Sequence, residues 1–327
     1  MNALVIGAGM AGAACAELLS QAGHQVSVFD QSTHIGGRLY TLHLDWADID
    51  LGAQYFTAKD ALFQKQIDKW HQDGVIQQWN ESPWMTDNYN SRPSPDHQIR
   101  YIGFKNAQAP VKHLLQSIPV YLQQHVEYVR FKQNKWYVDL TNHSQAGPFD
   151  TLVLAIPLPQ AQKLFEAELL SGLNLPEVEV KPTHTVAVQL DEPIKTDLKW
   201  SFVKERAIDW LGQTNVKPNR HCKNQTWLMH FSEGATQMYQ YNGDLSFVKL
   251  ALLQLSQIFS TQRVGECINH FNFYHPYARI FSKTLGQNFY WDKTLRVGFC
   301  GDWCFSGRVE GAYLSGRHLA KTILNYH

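Results

Sequence analysis

Three glycines and one acid near the start of the chain are spaced to hold a nucleotide. Gly7, Gly9 and Gly12 read G-x-G-x-x-G, and Asp30 follows about 20 residues on. Gly7 permits a tight turn, Gly9 lets a pyrophosphate approach the backbone, and Gly12 lets a helix pack closely on a strand. Met10 and Ala11 open that helix, whose free N–H groups and positive dipole end attract phosphate. Asp30 can accept hydrogen bonds from ribose hydroxyls, with Gln31 beside it at the same end of the ligand.

The surrounding elements agree with this reading. Ala3–Ile6 is a short apolar run, as in a buried parallel strand. Ala14, Leu18 and Ala22 recur at helical spacing, and Gly23 is a helix stop. Val26 and Val28 alternate along a second strand that ends at Asp30. A second glycine pair, Gly36 and Gly37, precedes Arg38 and suits another backbone approach to the same ligand, with the guanidinium near phosphate. Gly52 and Ala53 are small enough for a flat ring to lie against the backbone. Gln54 follows them, and Tyr55 and Phe56 are placed to line the space above the ring.

The C-terminal stretch carries a matching set. Leu295–Phe299 reads as a strand, with Gly301 and Asp302 at its C-terminal end, where α/β sheets bind ligands. Val309, Glu310, Gly311 and Ala312 open a second helix, whose inward stripe is Leu314, His318, Leu319 and Ile323. Two helix N-termini on one sheet call for a long ligand, and FAD meets the requirement. Its adenine half would sit on Gly7–Asp30 and its pyrophosphate against the first helix, near Asp302. Its ring would reach the helix that begins at Val309, whose dipole can stabilise negative charge on a reduced flavin. Cys300 and Cys304 lack the second Cys/His pair of a zinc site and are expected to be structural, a thioether link to flavin being the alternative.

A chain of 327 residues is long for one core, so two lobes are expected. The 29 basic and 29 acidic residues cancel, which argues against nucleic acid as a partner. No apolar run reaches the roughly 18 residues of a membrane span. The first strand leaves no room for a cleavable presequence, and five scattered cysteines argue against a disulfide framework, so the expected compartment is the cytoplasm. Asp68–Trp79 reads as helix then turn, with Trp70 and Trp79 packing inward, and residues 80–98 as an exposed crossing. Val126–Thr141 alternates like paired strands with a turn near Asn134. Phe149–Gln160 is another buried strand, with Pro157 and Pro159 expected to block further helix or ladder. The stretch from Val178 to Phe271 alternates like an antiparallel sheet, interrupted by a helix at Leu245–Phe259. The expected fold is α/β, with a Rossmann-type FAD-binding domain (1–75, 101–160 and 285–327) and an α+β substrate domain with an antiparallel sheet (76–100 and 161–284).

The segments "VIGAGMAGAACAELL", "IGGRLYT", "GAQYFTAKD", "RYIGF", "FDTLVLAIPLPQ", "TWLMHFS" and "GDWCFSGRVEGAYLSG" occur in this order. Together they resemble the bacterial renalase-like flavoproteins of the amine-oxidase-like FAD superfamily, over nearly the whole chain. The resemblance implies a two-lobed fold like that of p-hydroxybenzoate hydroxylase and a noncovalent FAD. It also implies oxidation of misreduced nicotinamide nucleotides, the 2- and 6-dihydro isomers of NAD(P)H, to NAD(P)+, with oxygen reoxidising the flavin to give peroxide. Two positions depart from the family pattern. Lys105-Asn106-Ala107 stands where a Gly-Met turn is expected, and Asn272 stands where Trp is expected, in a segment that should lie near flavin and substrate.

A dihydropyridine carries a labile hydride that flavin N5 can take directly once the rings stack, so positioning is the main requirement. Tyr55, Phe56 and His230 are the candidate catalytic residues. His230, His270 and Trp227 are candidates for the substrate pocket, Trp227 reading more as core than as pocket wall. The expected partners are a small molecule and oxygen, with the chain a monomer or weak dimer. Two other readings stand beside this one: an oxidase or desaturase of an amine or other small molecule, and a nonenzymatic FAD-binding module. A large second lobe argues against the module, because a carrier needs no substrate roof.

Overall fold

The computed structural model describes all residues except 240–242, 281–286, 306 and 327. The expected domain boundary at 284/285 therefore lies outside the described residues. Two sheets organise the rest. The first has the order Tyr290–Asp292, Val297–Phe299, Thr151–Leu154, Asn2–Ile6, Gln25–Phe29, Val120–Tyr121, parallel throughout except at the Tyr290–Asp292 edge. Its central strands are apolar along their length because both faces are covered, one by the helices Met10–Gln21 and Val309–Leu324 and the other by the three-stranded sheet of Val126–Lys132, Lys135–Leu140 and Gln145–Phe149. This is a Rossmann-type α/β core.

The first helix, Met10–Gln21, packs on the C-terminal helix, Val309–Leu324. Small residues make the approach close: a Cβ on Gly316 would lie 2.1 Å from the Ala11 carbonyl oxygen. The buried stripe of the first helix is Ala13, Ala14, Ala16 and Leu19, whereas Ala22 is exposed at its end. Gly23 does end it, with φ of +85°. The strands Val126–Lys132 and Lys135–Leu140 form a hairpin that turns at Gln133 and Asn134, both at positive φ. Pro157 and Pro159 behave differently from expectation. They end the ladder but open a short helix, Leu158–Gln162, because proline's missing N–H costs nothing in a first turn.

The second sheet is mostly antiparallel, in the order Cys267–Ile280, Val180–Leu190, Thr226–Phe231, Ile208–Gln213, Trp200–Val203, Trp84–Thr86, Ser91–Pro93. The stretch read as an exposed crossing supplies its last two strands, paired in parallel through Trp84–Thr86 and Trp200–Val203. Strand alternation gives the sheet two faces. Val186, Val188, Trp227, Met229 and Phe231 pack with Phe247, Ala251 and Leu255 of the helix Asp244–Ile258. Ala187, Leu228, Trp200 and Trp210 face the other way, against Ile49 and Leu51 of the first lobe. Among the described residues no helix is long and apolar enough to cross a membrane.

Candidate functional site

The three glycines of the first turn have different surroundings. Gly7 sits at φ +111°, and a Cβ there would come within 2.6 Å of the Ala155 oxygen. On Gly12 a Cβ would stand 1.9 Å from the Gly7 oxygen, so this position holds helix against strand. Gly9 is extended, and a Cβ on it meets nothing within 4 Å. The backbone at Gly9 thus borders open space at a helix end that no side chain caps, beside Met10, Ala11 and Gly12. Gly37, at φ +57°, lies over this loop, its Cβ position 3.4 Å from the Gly9 Cα. Gly36 N–H donates to the Ala8 carbonyl. The Asp30 carboxylate accepts the N–H groups of Ala8 (2.7 Å) and Ser32 (2.8 Å), one on each oxygen. Each oxygen keeps a lone pair for a ribose hydroxyl. Gln31 is exposed beside it. A dinucleotide's pyrophosphate and ribose fit this cradle.

Arg38 and Asp302 face each other. The guanidinium donates to both carboxylate oxygens, at 2.8 and 2.5 Å, joining the two glycine-rich ends of the chain. Sequence reasoning set them separately against phosphate, but their bidentate pair comes first. Asp302 is buried, while the Arg38 side chain keeps 36% of its exposure. Asp302→Ala is expected to cost about 2 kcal/mol, less than a fully buried pair would, because water still reaches Arg38. The midpoint of urea unfolding of the flavin-free protein measures this, and an unchanged midpoint would contradict it.

At the other helix N-terminus, Val309 and Ala312 are half-buried. One oxygen of Glu310, Oε1, accepts the N–H groups of Lys59 (2.6 Å) and Asp60 (2.8 Å). Cys300 and Cys304 are buried. Burial pushes the Cys304 thiol up to about 12, and hydrogen bonding with Cys15 followed by burial raises Cys300. Both stay thiols, which disfavours the thioether alternative.

Beneath the site face of the second sheet lies a buried polar cluster that the sequence reading missed. Asp50 receives Lys217 Nζ (2.8 Å), Arg220 Nε (3.1 Å) and the Thr41 hydroxyl (2.5 Å). Burial raises the Asp50 pKa, but the two cations outweigh it and bring it down to about 2. Lys217 is shifted down, by burial first and by Arg220, because two cations share one acid. Lys217 also donates to Gln54 Oε1 at 2.7 Å. Gln54 Nε2 lies 2.6 Å from the Asp50 carbonyl, 3.0 Å from the Gly52 carbonyl and 3.3 Å from His230 Nε2. The His230 ring is held at a pKa of about 3 by burial, with Arg279, His275 and Lys217 adding repulsion. His275 donates from Nε2 to the Leu51 carbonyl (3.1 Å), which also accepts the Thr185 hydroxyl (3.2 Å). Burial brings His275 to about 4. Partners 167 and 170 residues apart leave no local pattern. The only available signal was a Lys and an Arg three positions apart between two apolar strands.

Tyr55 reaches this face, with its ring 5.4 Å from Trp200 and the Arg100 guanidinium 5.0 Å above it. Arg100 is itself paired with Asp96. Burial raises the Tyr55 pKa, so it is a neutral phenol. Four expectations need correction. Phe56 is 4% exposed and packs with Phe63 and Tyr101 in the first core, away from the sheet face. Trp227 is fully buried on the helix-covered face, against Phe259. His270 lies opposite Val188, so it shares that face, and it is exposed at the sheet edge. Asn272 lies opposite Val186 and also points away from the site. A sheet's period of two decides all three strand positions, and the register was not legible. Lys105 takes φ of +61°, the left-handed conformation for which glycine is usually chosen.

Comparison with known proteins agrees with this geometry. A model for NAD(P)-binding Rossmann-like domains matches residues 5–66, and one for flavin containing amine oxidoreductases matches residues 102–324. A 1-hydroxycarotenoid 3,4-desaturase of Flavobacterium sp. (strain P99-3) is 43% identical over 56 residues, 17% of this chain and 12% of that protein. The L-amino acid oxidase Cdc18 of Crotalus durissus cumanensis is 36% identical over 85 residues, 25% of this chain and 17% of that one. The chain thus spans less than a fifth of the curated relatives it matches. A solved structure from Exiguobacterium sp. 255-15, provisionally named a protoporphyrinogen oxidase, superposes with a TM-score of 0.77 at 11% identity. The match covers 100% of this chain and 99% of that one.

Proposed function

Since this chain belongs to the flavin containing amine oxidoreductase family, we propose that it is an FAD-dependent oxidase or desaturase that removes hydride from an amine or other small molecule. Bound FAD supplies the electron acceptor, and oxygen is the proposed oxidant that restores it. The residues around Gly9, Asp30, Gly37 and the two helix N-termini would hold it noncovalently. We take 1–75, 101–160 and 285–327 as the cofactor lobe and 76–100 and 161–284 as the substrate lobe.

One observation carries the reading: the polar groups on the substrate face are neutral or already paired. His230 and His275 are held neutral, Tyr55 is a phenol, and Lys217 is tied to Asp50 and Gln54. Acid–base or nucleophilic chemistry would need a free titrating group there. Hydride transfer needs a positioned substrate in a dry, preorganised site. Tyr55, packed over the buried Trp200 and Trp210, would supply apolar wall, and Gln54 and His230 would supply polar orientation.

The second reading, a misreduced dihydronicotinamide nucleotide as substrate, is favoured by charge. Arg308 is exposed beside the C-terminal helix and acts electrostatically on Tyr55. Such a cation attracts phosphate and repels an ammonium group. Anaerobic bleaching of the flavin absorbance separates the readings. Samples receive a panel of amines, the 2- and 6-dihydro isomers of NAD(P)H, or ordinary NAD(P)H. Bleaching by an amine places the chain among amine oxidases; bleaching by a dihydro isomer establishes the second reading. If no reductant of either class bleaches the flavin, the amine and dihydronicotinamide assignments both fail.

A further inference from the structure

We infer that Lys217 and Gln54 fix the tautomer of His230, so that this histidine offers one permanent N–H donor, on Nδ1, and no base. The inference deepens the proposed reading of this face as the substrate side, and rests on it for the functional consequence only.

The assignment follows from counting donors and acceptors. An ammonium group only donates, and a carbonyl only accepts. Lys217 Nζ lies 2.7 Å from one end of the Gln54 amide, so that end is the oxygen. The other end lies 2.6 and 3.0 Å from the carbonyls of Asp50 and Gly52, so it is the NH2 group. A flipped amide would set two donors against each other and an oxygen against two oxygens. Three partners therefore agree on one orientation, which is the ground on which such an assignment rests.

The same NH2 group lies 3.3 Å from His230 Nε2. An amide nitrogen cannot accept a ring proton, and one of its two hydrogens is shared between the Gly52 carbonyl and the ring, so Nε2 presents its lone pair and the ring proton sits on Nδ1. Lys217 cannot leave, because Asp50 holds it at 2.8 Å and both are 3% exposed. The charged and titratable groups around the ring come from three directions. Lys217 and its acid Asp50 lie behind Gln54; Arg279, paired with Asp209, and His275 come from the edge strand Cys267–Ile280, beyond Val180–Leu190. Trp210 covers the ring from the strand on the other side, 5.4 Å between centroids. No acid contacts the imidazole among these, so the neutral ring persists.

The consequence is a division of roles. The basic nitrogen of His230 is occupied by Gln54, so the ring cannot collect a substrate proton. Its Nδ1–H can hold an acceptor atom of a substrate in one place. Gln54 and Lys217 are positioning residues that act through it.

The test is nitrogen NMR of protein labelled with 15N-histidine, flavin-free and flavin-loaded, with the His230 ring assigned by its loss in His230→Asn. The expected spectrum has a protonated-type shift at Nδ1 and an unprotonated-type shift at Nε2, both constant from about pH 5 to pH 8. A protonated Nε2, or a titration inside that window, overturns the inference. Gln54→Glu replaces the donor by a carboxylate and is expected to move the His230 titration upward, with both nitrogens becoming protonated type. An unmoved ring in Gln54→Glu also overturns it. If that variant does not fold, the wild-type spectrum decides alone. No substrate enters the experiment, so the proposed substrate class can fail while this inference stands, and the reverse.

Discussion

Gly9→Val is expected to leave the flavin-free protein folded and to weaken FAD binding by at least about 100-fold, roughly 2.7 kcal/mol. The backbone at Gly9 is extended, at φ −87° and ψ −173°, a conformation valine adopts without strain. A Cβ there meets no protein atom within 4 Å, so the stability cost is limited to about 1 kcal/mol at a helix cap. The added carbons would fill the space beside an uncapped helix N-terminus, where a pyrophosphate would bring its charge. Gly12→Ala gives the contrast. Its Cβ would stand 1.9 Å from the Gly7 oxygen, so helix and strand must separate and the fold itself suffers. Flavin titration by fluorescence quenching, with thermal unfolding of the flavin-free protein alongside, measures both. Normal FAD affinity in Gly9→Val would show that the open space at Gly9 is not the cofactor's place.

Asp50→Ala is expected to destabilise the protein by about 3–5 kcal/mol, because it leaves Lys217 and Arg220 buried without their acid. Their side chains are 3% and 1% exposed. Replacing all three by apolar residues of similar size is expected to recover most of that loss, since the desolvation cost of three ions disappears with their attraction. Guanidinium unfolding midpoints of the single and triple variants decide it; a single variant within 1 kcal/mol of wild type would contradict the assignment. The same cluster sets an acid limit. The Asp50 pKa is about 2 in the fold and about 3.9 unfolded, so it is depressed by folding. A depressed carboxylate contributes stability that is fully present above its unfolded value and is lost as pH falls through its folded one. Stability is therefore expected to decline from about pH 4 downward by roughly 2.5 kcal/mol on this group's account. In the triple variant that part of the decline should be absent.

Much of the cofactor lobe was legible in the sequence because its determinants are local. Gly7, Gly9 and Gly12 act within one strand, turn and helix, and Asp30 within the next strand. Backbone conformation and close approach depend on residue type there, so the types carry the information. Gly301, Asp302 and the helix from Val309 follow the same rule at the other end. The α/β class and the flavin family could be read from these two stretches.

The substrate face was not legible, and the reasons are specific. Trp227, His270 and Asn272 had suitable chemistry, but strand register turned each of them to the helix-covered face. One residue of register decides between pocket and back wall, and no local signal states it. Phe56 and Tyr55 are neighbours in sequence and part company in space, Phe56 into one core and Tyr55 toward the other. Glu310 also ties down the start of the helix Ala61–Gln72, a contact across about 250 residues that no local pattern announces. The Asp50–Lys217–Gln54–His230 network joins segments that only chain crossing brings together. By itself the sequence determined a chain that folds around a dinucleotide, because turns and helix ends are encoded by neighbours. Only the tertiary structure decided which side chains meet the substrate and in what protonation state, because burial and pairing are properties of contacts between distant residues.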